Sequence, residues 1–308
     1  MNSSVWILFN VLILSLLALD LFWFNRKAHV VSVKEALGWS AFWIGLAAIF
    51  NVVIYYWLGS KLALEFTAGY LIEKSLSVDN LFVFLMLFAY FKVPAIYQHK
   101  VLFWGILGAI VFRAIFIFAG IELLNRFSFM VYILGAFLIF AGIKMFFAKE
   151  KPLNPEKNVV LAILRLFIPV TNEYHEANFW VKIKGILHAT PLFVVLIIVE
   201  TTDIVFAIDS VPAVLAISKD PFIVYSSNIF ALLGLRSLFF ALAGVMELFH
   251  YLKYGLALIL AFVGSKIVIS HWYHLDIVLA LGIVGFILIA SVVLSLSFPK
   301  KPQVGVPQ

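Results

Sequence analysis

Five carboxylates stand inside stretches that are otherwise almost wholly apolar. Glu200, Asp203 and Asp209 fall in the run Glu200-Thr-Thr-Asp203-Ile-Val-Phe-Ala-Ile-Asp209-Ser-Val-Pro212, and Glu73 and Asp79 fall in Glu73-Lys74-Ser-Leu-Ser-Val-Asp79-Asn80. Both read as an acid, five residues, an acid, then a small polar side chain: Glu73 to Asp79-Asn80, and Asp203 to Asp209-Ser210. A charged group at the centre of a bilayer costs about 2.5–3.5 kcal/mol on the insertion scale, so acids kept there have a functional use or a partner.

The ligand types select the chemistry. Carboxylates with the amide of Asn80 and the hydroxyl of Ser210, and no thiolate, suit hard cations such as Mg, Ca or Mn rather than Cu or Zn. Lys74, Arg113 and Arg236 are the internal bases, leaving about two negative charges if all five acids are ionised. A divalent cation balances that excess. The competing explanation is a salt-bridge network in which some acids are protonated, since burial disfavours the charged form. Glu200 and Asp203, three apart, share a helical face. Positions six apart lie about 240° and 9 Å from one another on a regular helix, so Glu73 and Asp79, or Asp203 and Asp209, reach one ion only if the helix unwinds. Otherwise each pair marks two stations of a pathway. Pro212 removes the helical partner of the Ile208 carbonyl, so a helix break is expected there. Asp79 and Asp209, brought together by an internal repeat, are then better direct ligands than Glu73 or Glu200.

The elements that carry these residues follow from composition. The 308 residues are 64% hydrophobic and 12% charged, with a mean hydropathy of +1.10. Soluble domains carry about 45–50% apolar and 25% charged residues, so the expected fold is an all-α polytopic membrane protein in a single transmembrane domain, 1–308. Nine apolar runs fall at about 4–24, 39–58, 68–91, 101–121, 129–147, 191–217, 222–248, 254–270 and 276–298. Lys and Arg concentrate in alternate loops, which places the N-terminus outside and the C-terminus in the cytoplasm of an inner (plasma) membrane. The net charge of +6 belongs to those loops and implies no nucleic-acid partner; the lipid bilayer is the surrounding. There is no cysteine, hence no thiolate site and no redox dithiol. The first run lacks a cleavage pattern, so a signal peptide is not expected.

Landmarks repeat in order. Asp79, Arg113 and Lys144 are followed by Asp209, Arg236 and Lys266 at offsets of 130, 123 and 122 residues. This outlines two repeats of three spans, about 68–147 and 191–270, separated by a loop at about 148–190. An odd number of spans inverts the second copy, as in transporters with a midplane site. Within the loop, 158–170 fits an interfacial helix and 179–184 alternates like a strand. Asn172-Glu173-Tyr174-His175-Glu176 reads either as a metal-entry site or, more simply, as solvated loop. His271 and His274, beside Trp272 and Tyr273, read as an interfacial belt or a metal-capture point, while Glu247 and His250 meet water at a span end. No phosphate loop, nucleophile elbow or zinc-protease helix is present, so no enzyme is expected. An intramembrane aspartyl protease would need a close aspartate pair without so many further charges.

With its motifs Gly69-Tyr-Leu-Ile-Glu73-Lys-Ser-Leu-Ser-Val-Asp79-Asn80, Thr190-Pro191, Glu200 through Ala213 and Gly234-Leu-Arg236, the chain resembles the TerC family of integral membrane proteins, near its Alx-like branch. The resemblance covers nearly the whole sequence. It implies an architecture similar to the lysine-exporter superfamily and efflux of Mn2+ from the cytoplasm, with Glu73, Asp79, Asn80, Glu200, Asp203, Asp209 and Ser210 as ion-handling positions. The expected activity is secondary transport of Mn2+ as cargo, with no permanently bound cofactor and with coupling to H+ left open. The alternatives are a non-transporting membrane factor supplying metal to exported proteins, with such proteins or other membrane proteins as partners, and a tellurium-resistance component. The oligomeric state is not encoded in these motifs.

Overall fold

The computed structural model of the chain describes residues 3–19, 32–127, 129–147, 168–243, 251–269 and 275–298; the side chains of Asp79, Phe82 and Asp209 lie outside that description. Ten helices and one small hairpin occur among the described residues. They are α1 Ser3–Leu19, α2 Val33–Leu58, α3 Ser60–Tyr90, α4 Ala95–Arg126 and α5 Met130–Phe147. Then come β1 Trp180–Ile183, β2 Ile186–Ala189, α6 Pro191–Leu215, α7 Pro221–Leu233, α8 Leu235–Ala243, α9 Leu252–Ile269 and α10 Ile277–Ser297. The protein is an all-α polytopic membrane protein. Among the described residues six helices are long and apolar enough to cross a bilayer, and α7 with α8, bent by 41° at Gly234, makes a seventh if counted as one span.

The helices begin where the chain supplies caps. Ser32 accepts from the Glu35 N–H, Asp220 from those of Phe222 and Ile223, and Asp276 from that of Val278. Proline at the first position of α6 and of α7 gives up a donor that a helix start leaves unpaired anyway. Several helices run further than their apolar cores. The expected run 101–121 lies inside Ala95–Arg126, and the run 68–91 begins eight residues into Ser60–Tyr90 and ends one residue past it, because polar flanking turns stay helical once a span nucleates them.

Packing has two parts. The larger core joins α1, α2, α3, α4, α6, α7 and α8, and includes Phe66, Leu81, Ile117, Val195, Phe222 and Phe239. A second joins α5, α9 and α10 to Ile72 and Leu76 of α3. Helix α3 lies against α2, α6 and α7, and α4 lies against α6 and α7. Outward faces keep large apolar groups exposed, such as Tyr56, Phe286 and Ile289, as lipid contact requires.

Helices α5 and α9 meet through glycines. A methyl at Gly142 would stand 2.6 Å from the Ala257 carbonyl oxygen and 2.9 Å from the Ala261 nitrogen. A methyl at Gly264 would stand 2.6 Å from the Gly135 oxygen and 2.9 Å from the Ile139 nitrogen. Small residues let two membrane helices approach backbone to backbone.

One expectation changes here. Helix α6 does not break at Pro212; it runs on to Leu215, and the Ala216 N–H donates to the Pro212 carbonyl at 3.0 Å. Pro212 sits in the last turn, where one missing donor costs little continuity. The bend lies instead at Gly234, where a Cβ would come within 2.8 Å of the Lys74 ammonium and 3.1 Å of Trp43 Cβ. The expected strand at 179–184 is present as Trp180–Ile183, paired antiparallel with Ile186–Ala189. Residues 158–167, Glu247, His250, His271 and His274 lie outside the described residues.

Candidate functional site, a buried ionic network

Arg113 of α4 is fully buried and forms the hub. Its Nη1 pairs with Glu73 Oε1 of α3, its Nε and Nη2 donate to Asp203 of α6 at 3.2 and 3.0 Å, and Nη1 also donates to Ser210 Oγ at 3.4 Å. The fork of the guanidinium holds the Asp203 carboxylate through both oxygens. Glu73 is buried completely, and its second oxygen accepts from Asn228 Nδ2 of α7 at 2.9 Å. Helices α3, α4 and α6 thus meet at one guanidinium, and α7 joins them through Asn228 on Glu73. Two charges taken from water recover their loss only with such complete pairing.

Glu73 and Asp203 are therefore spent on Arg113 in this arrangement, and Ser210 joins them. Glu200 is placed differently. It is half-buried against α4, where a methyl at Gly108 would overlap its carboxyl group, and its Oε2 has no hydrogen-bond partner among the described residues. Asn80 is buried, and its Nδ2 is likewise unpartnered among them, as are Ser77 Oγ and Asn228 Oδ1. The backbones of Asp79 and Asp209 are helical, one turn or more beyond Glu73 and Asp203, and their side chains are outside the description. Among the described side chains no three of His, Asp or Glu gather as a metal-holding group.

The charge-balancing bases divide. Arg113 meets two acids, whereas the described partner of Lys74 is the carbonyl of Ala231 at 3.1 Å. That carbonyl belongs to the residue four before Leu235, beside the Gly234 bend, so an ammonium caps the end of a half-helix. Arg236, just past the bend, contacts His99 Nε2 of α4 at 2.8 Å. Asp203 and Arg236 line a cavity of about 20 Å³ with Leu81, Phe84, Gly105 and Ala109, roughly the room of one water. A larger cavity of about 250 Å³ lies beyond α6, lined by Pro212, Leu215, Lys219, Lys266 and Ile267 among others.

The sequence pattern pointed to the acids and arginines but passed over Asn228 and His99. Ser226-Ser227-Asn228, a fully buried polar triplet inside an apolar span, carried the same signal of cost as the carboxylates. His99, near the start of α4, carried none. Of the 172–176 stretch, Tyr174 donates to the Phe91 carbonyl at 2.8 Å, and half-burial pushes its phenol up to about 12.

Helices that cross a bilayer around a buried arginine–carboxylate network define a polytopic membrane protein with a charged interior. Residues 58–303 match the family model described as integral membrane protein TerC family, and the chain belongs to that family. It is 49% identical over 295 residues, 96% of this chain and 92% of the other, to an uncharacterized membrane protein of Myxococcus xanthus. It is 46% identical over 300 residues, 94% of this chain and 93% of the other, to a putative membrane-bound redox modulator Alx of Salmonella typhi. The Escherichia coli K12 protein of the same name is 45% identical over 300 residues, 94% of each chain. These relatives place the chain in the Alx-like branch. No solved structure matches.

Proposed function

We propose that the protein is a secondary transporter exporting Mn2+ from the cytoplasm through a carboxylate site at the bilayer midplane. The observation that carries the reading is the use of Arg113 by Glu73 and Asp203. With these two acids occupied, Asp79, Asp209 and Glu200 remain against Arg236 and the capped Lys74; together with the one negative charge left over where Glu73 and Asp203 share Arg113, this makes an excess of about two that a divalent cation neutralises. Asp79 and Asp209 are the direct ligands, Asn80 supplies a neutral oxygen, and Glu200, with a free oxygen, serves approach or proton exchange. Glu73, Asp203 and Ser210 join the ion only when Arg113 moves away. Arg113 is thus the alternative cation that holds the site closed when cargo is absent.

Alternating access needs two matched halves. In this reading α1 and α3 also cross, giving nine spans, with α3–α5 and α6–α9 as inverted repeats. The packing supports it. Under an offset of 122 residues, Gly142 against Ala257 and Ala261 becomes Gly264 against Gly135 and Ile139. The contacts of α4 with α6 and of α3 with α7 also exchange under the repeat, as a two-fold axis requires.

The relatives' name raises a redox role. This chain has no cysteine, so an effect on redox state would run through its cargo rather than a thiol. A non-transporting factor for metal supply is the second reading. Proteoliposomes separate them: under an imposed pH gradient, Mn2+ crosses faster than Ca2+, Mg2+, Fe2+ or Zn2+, and Asp79→Ala and Asp209→Ala abolish the flux. No flux from well-inserted wild-type protein sinks the transporter reading.

A further inference from the structure

The hairpin β1–β2 has a well-held base and an unheld tip. At the base Tyr174 donates to the Phe91 carbonyl at 2.8 Å, Lys100 to the Ala177 carbonyl at 2.5 Å, and Thr190 Oγ1 to the Asn178 carbonyl at 2.7 Å. Lys100 also lies over the Phe179 ring, and Trp180 packs on Phe193 with ring centroids 4.3 Å apart. Phe193 is the third residue of α6, so the hairpin base sits level with the first turn of a span. At that level lie the headgroups.

The tip presents Ile183, Ile186 and Leu187 at 36%, 60% and 50% exposure, with Lys182 and Lys184 exposed among them. Lys184 and Gly185 turn with φ of 51° and 82°, the mirror-image turn that closes a two-residue hairpin. Direct cross-strand pairs share a face. Lys182 and Leu187 therefore point to one side, Ile183 and Ile186 to the other, so each side carries exposed apolar surface and one carries a lysine beside it. An isolated two-stranded hairpin is marginal in water, and the apolar tip residues belong to neither hydrophobic core.

We infer that the hairpin tip inserts into the headgroup layer of the leaflet beside the start of α6, with Lys182 and Lys184 bound to anionic phospholipid. Apolar tip residues enter the acyl boundary while the two ammonium groups stay at phosphate level, as amphipathic side chains do at an interface. Trp180 anchors the base at the same depth. The nearby acids, Glu173 and Glu176, lie before β1 at the opposite end from the turn. Lipid composition thereby acts on the connection between the ends of α3 and α4 and the start of α6.

The absence of cysteine makes the test direct. Ile186→Cys in the full-length chain, labelled with a polarity-sensitive fluorophore, is reconstituted in phosphatidylglycerol or phosphatidylcholine vesicles. The expected result is blue-shifted emission, quenched by a nitroxide at headgroup depth, in the anionic vesicles. Lys182→Gln with Lys184→Gln lowers the inserted-to-free ratio by on the order of tenfold. A Glu173→Cys label stays aqueous throughout. Aqueous emission from the tip in both vesicles overturns the inference. So does quenching indifferent to lipid charge and to both lysines, and so does a shift seen only in native membranes, which would assign the tip to a protein partner.

Discussion

Arg113 decides more at the residue scale than any single acid. It is 0% exposed and pairs with two carboxylates and a hydroxyl. Replacing it by Gln leaves Glu73 and Asp203 buried with no counter-charge. Breaking a buried pair in this way costs about 3–5 kcal/mol. Arg113→Gln is therefore expected to lower the detergent melting temperature and the amount inserted, and Glu73→Gln in the same chain to recover part of both. Arg113→Lys does not substitute, because an ammonium cannot hold both oxygens of Asp203 from one fork. Fluorescence-detected size exclusion after heating measures all three. The acids and Arg113 were legible in the sequence because charge inside an apolar run has few innocent explanations. Their pairing was not, since Glu73, Arg113 and Asp203 are brought together by packing of α3, α4 and α6 that no local pattern encodes.

At the scale of elements, two glycine positions carry different loads. Gly142 and Gly264 each face backbone atoms of the opposite helix at 2.6 Å from an added Cβ. Backbone cannot swing aside, so Gly142→Ala and Gly264→Ala both force α5 and α9 apart and are expected to lower the melting temperature by similar amounts. Gly282→Ala and Gly285→Ala in α10, with nothing within 4 Å, are the controls, neutral or stabilising by up to about 1 kcal/mol through helix propensity. A large loss for one of the α5–α9 pair and none for the other would contradict matched halves. Gly234 marks the bend, and Gly234→Ala pushes on the Lys74 ammonium and Trp43. It should lower transport more than thermal stability, which flux and melting assays on the same preparation separate. Proline misled the sequence reading here: it identifies a lost donor, but position in the helix decides whether the axis bends. Pro212 in a last turn leaves α6 continuous, while Gly234, read in the sequence only as the start of the Gly234-Leu-Arg236 motif, permits the bend because Trp43 and Lys74 pack into the space it leaves.

At the scale of the molecule, the apolar periodicity fixed span positions well: the runs expected at 129–147, 254–270 and 276–298 appear as Met130–Phe147, Leu252–Ile269 and Ile277–Ser297. Parity of crossings is what the spans imply for function, and it can be read chemically. Lys61 opens α3 and Lys219 follows α6, so four crossings separate them if α3, α4, α5 and α6 all span; they then face the same side. Lys92 and Lys184 are separated by α4 and α5, and also share a side, opposite to that of Lys61. In a chain without cysteine, single substitutions at these four lysines are unique reporters. If the N-terminus lies outside, as the distribution of positive loops predicts, Lys61→Cys and Lys219→Cys react with a membrane-impermeant maleimide in intact cells. Lys92→Cys and Lys184→Cys react only after permeabilisation. If Lys61→Cys and Lys219→Cys label from opposite sides, the two halves enter the membrane in the same sense, and alternating access by rocking inverted repeats loses its basis even if Mn2+ is carried.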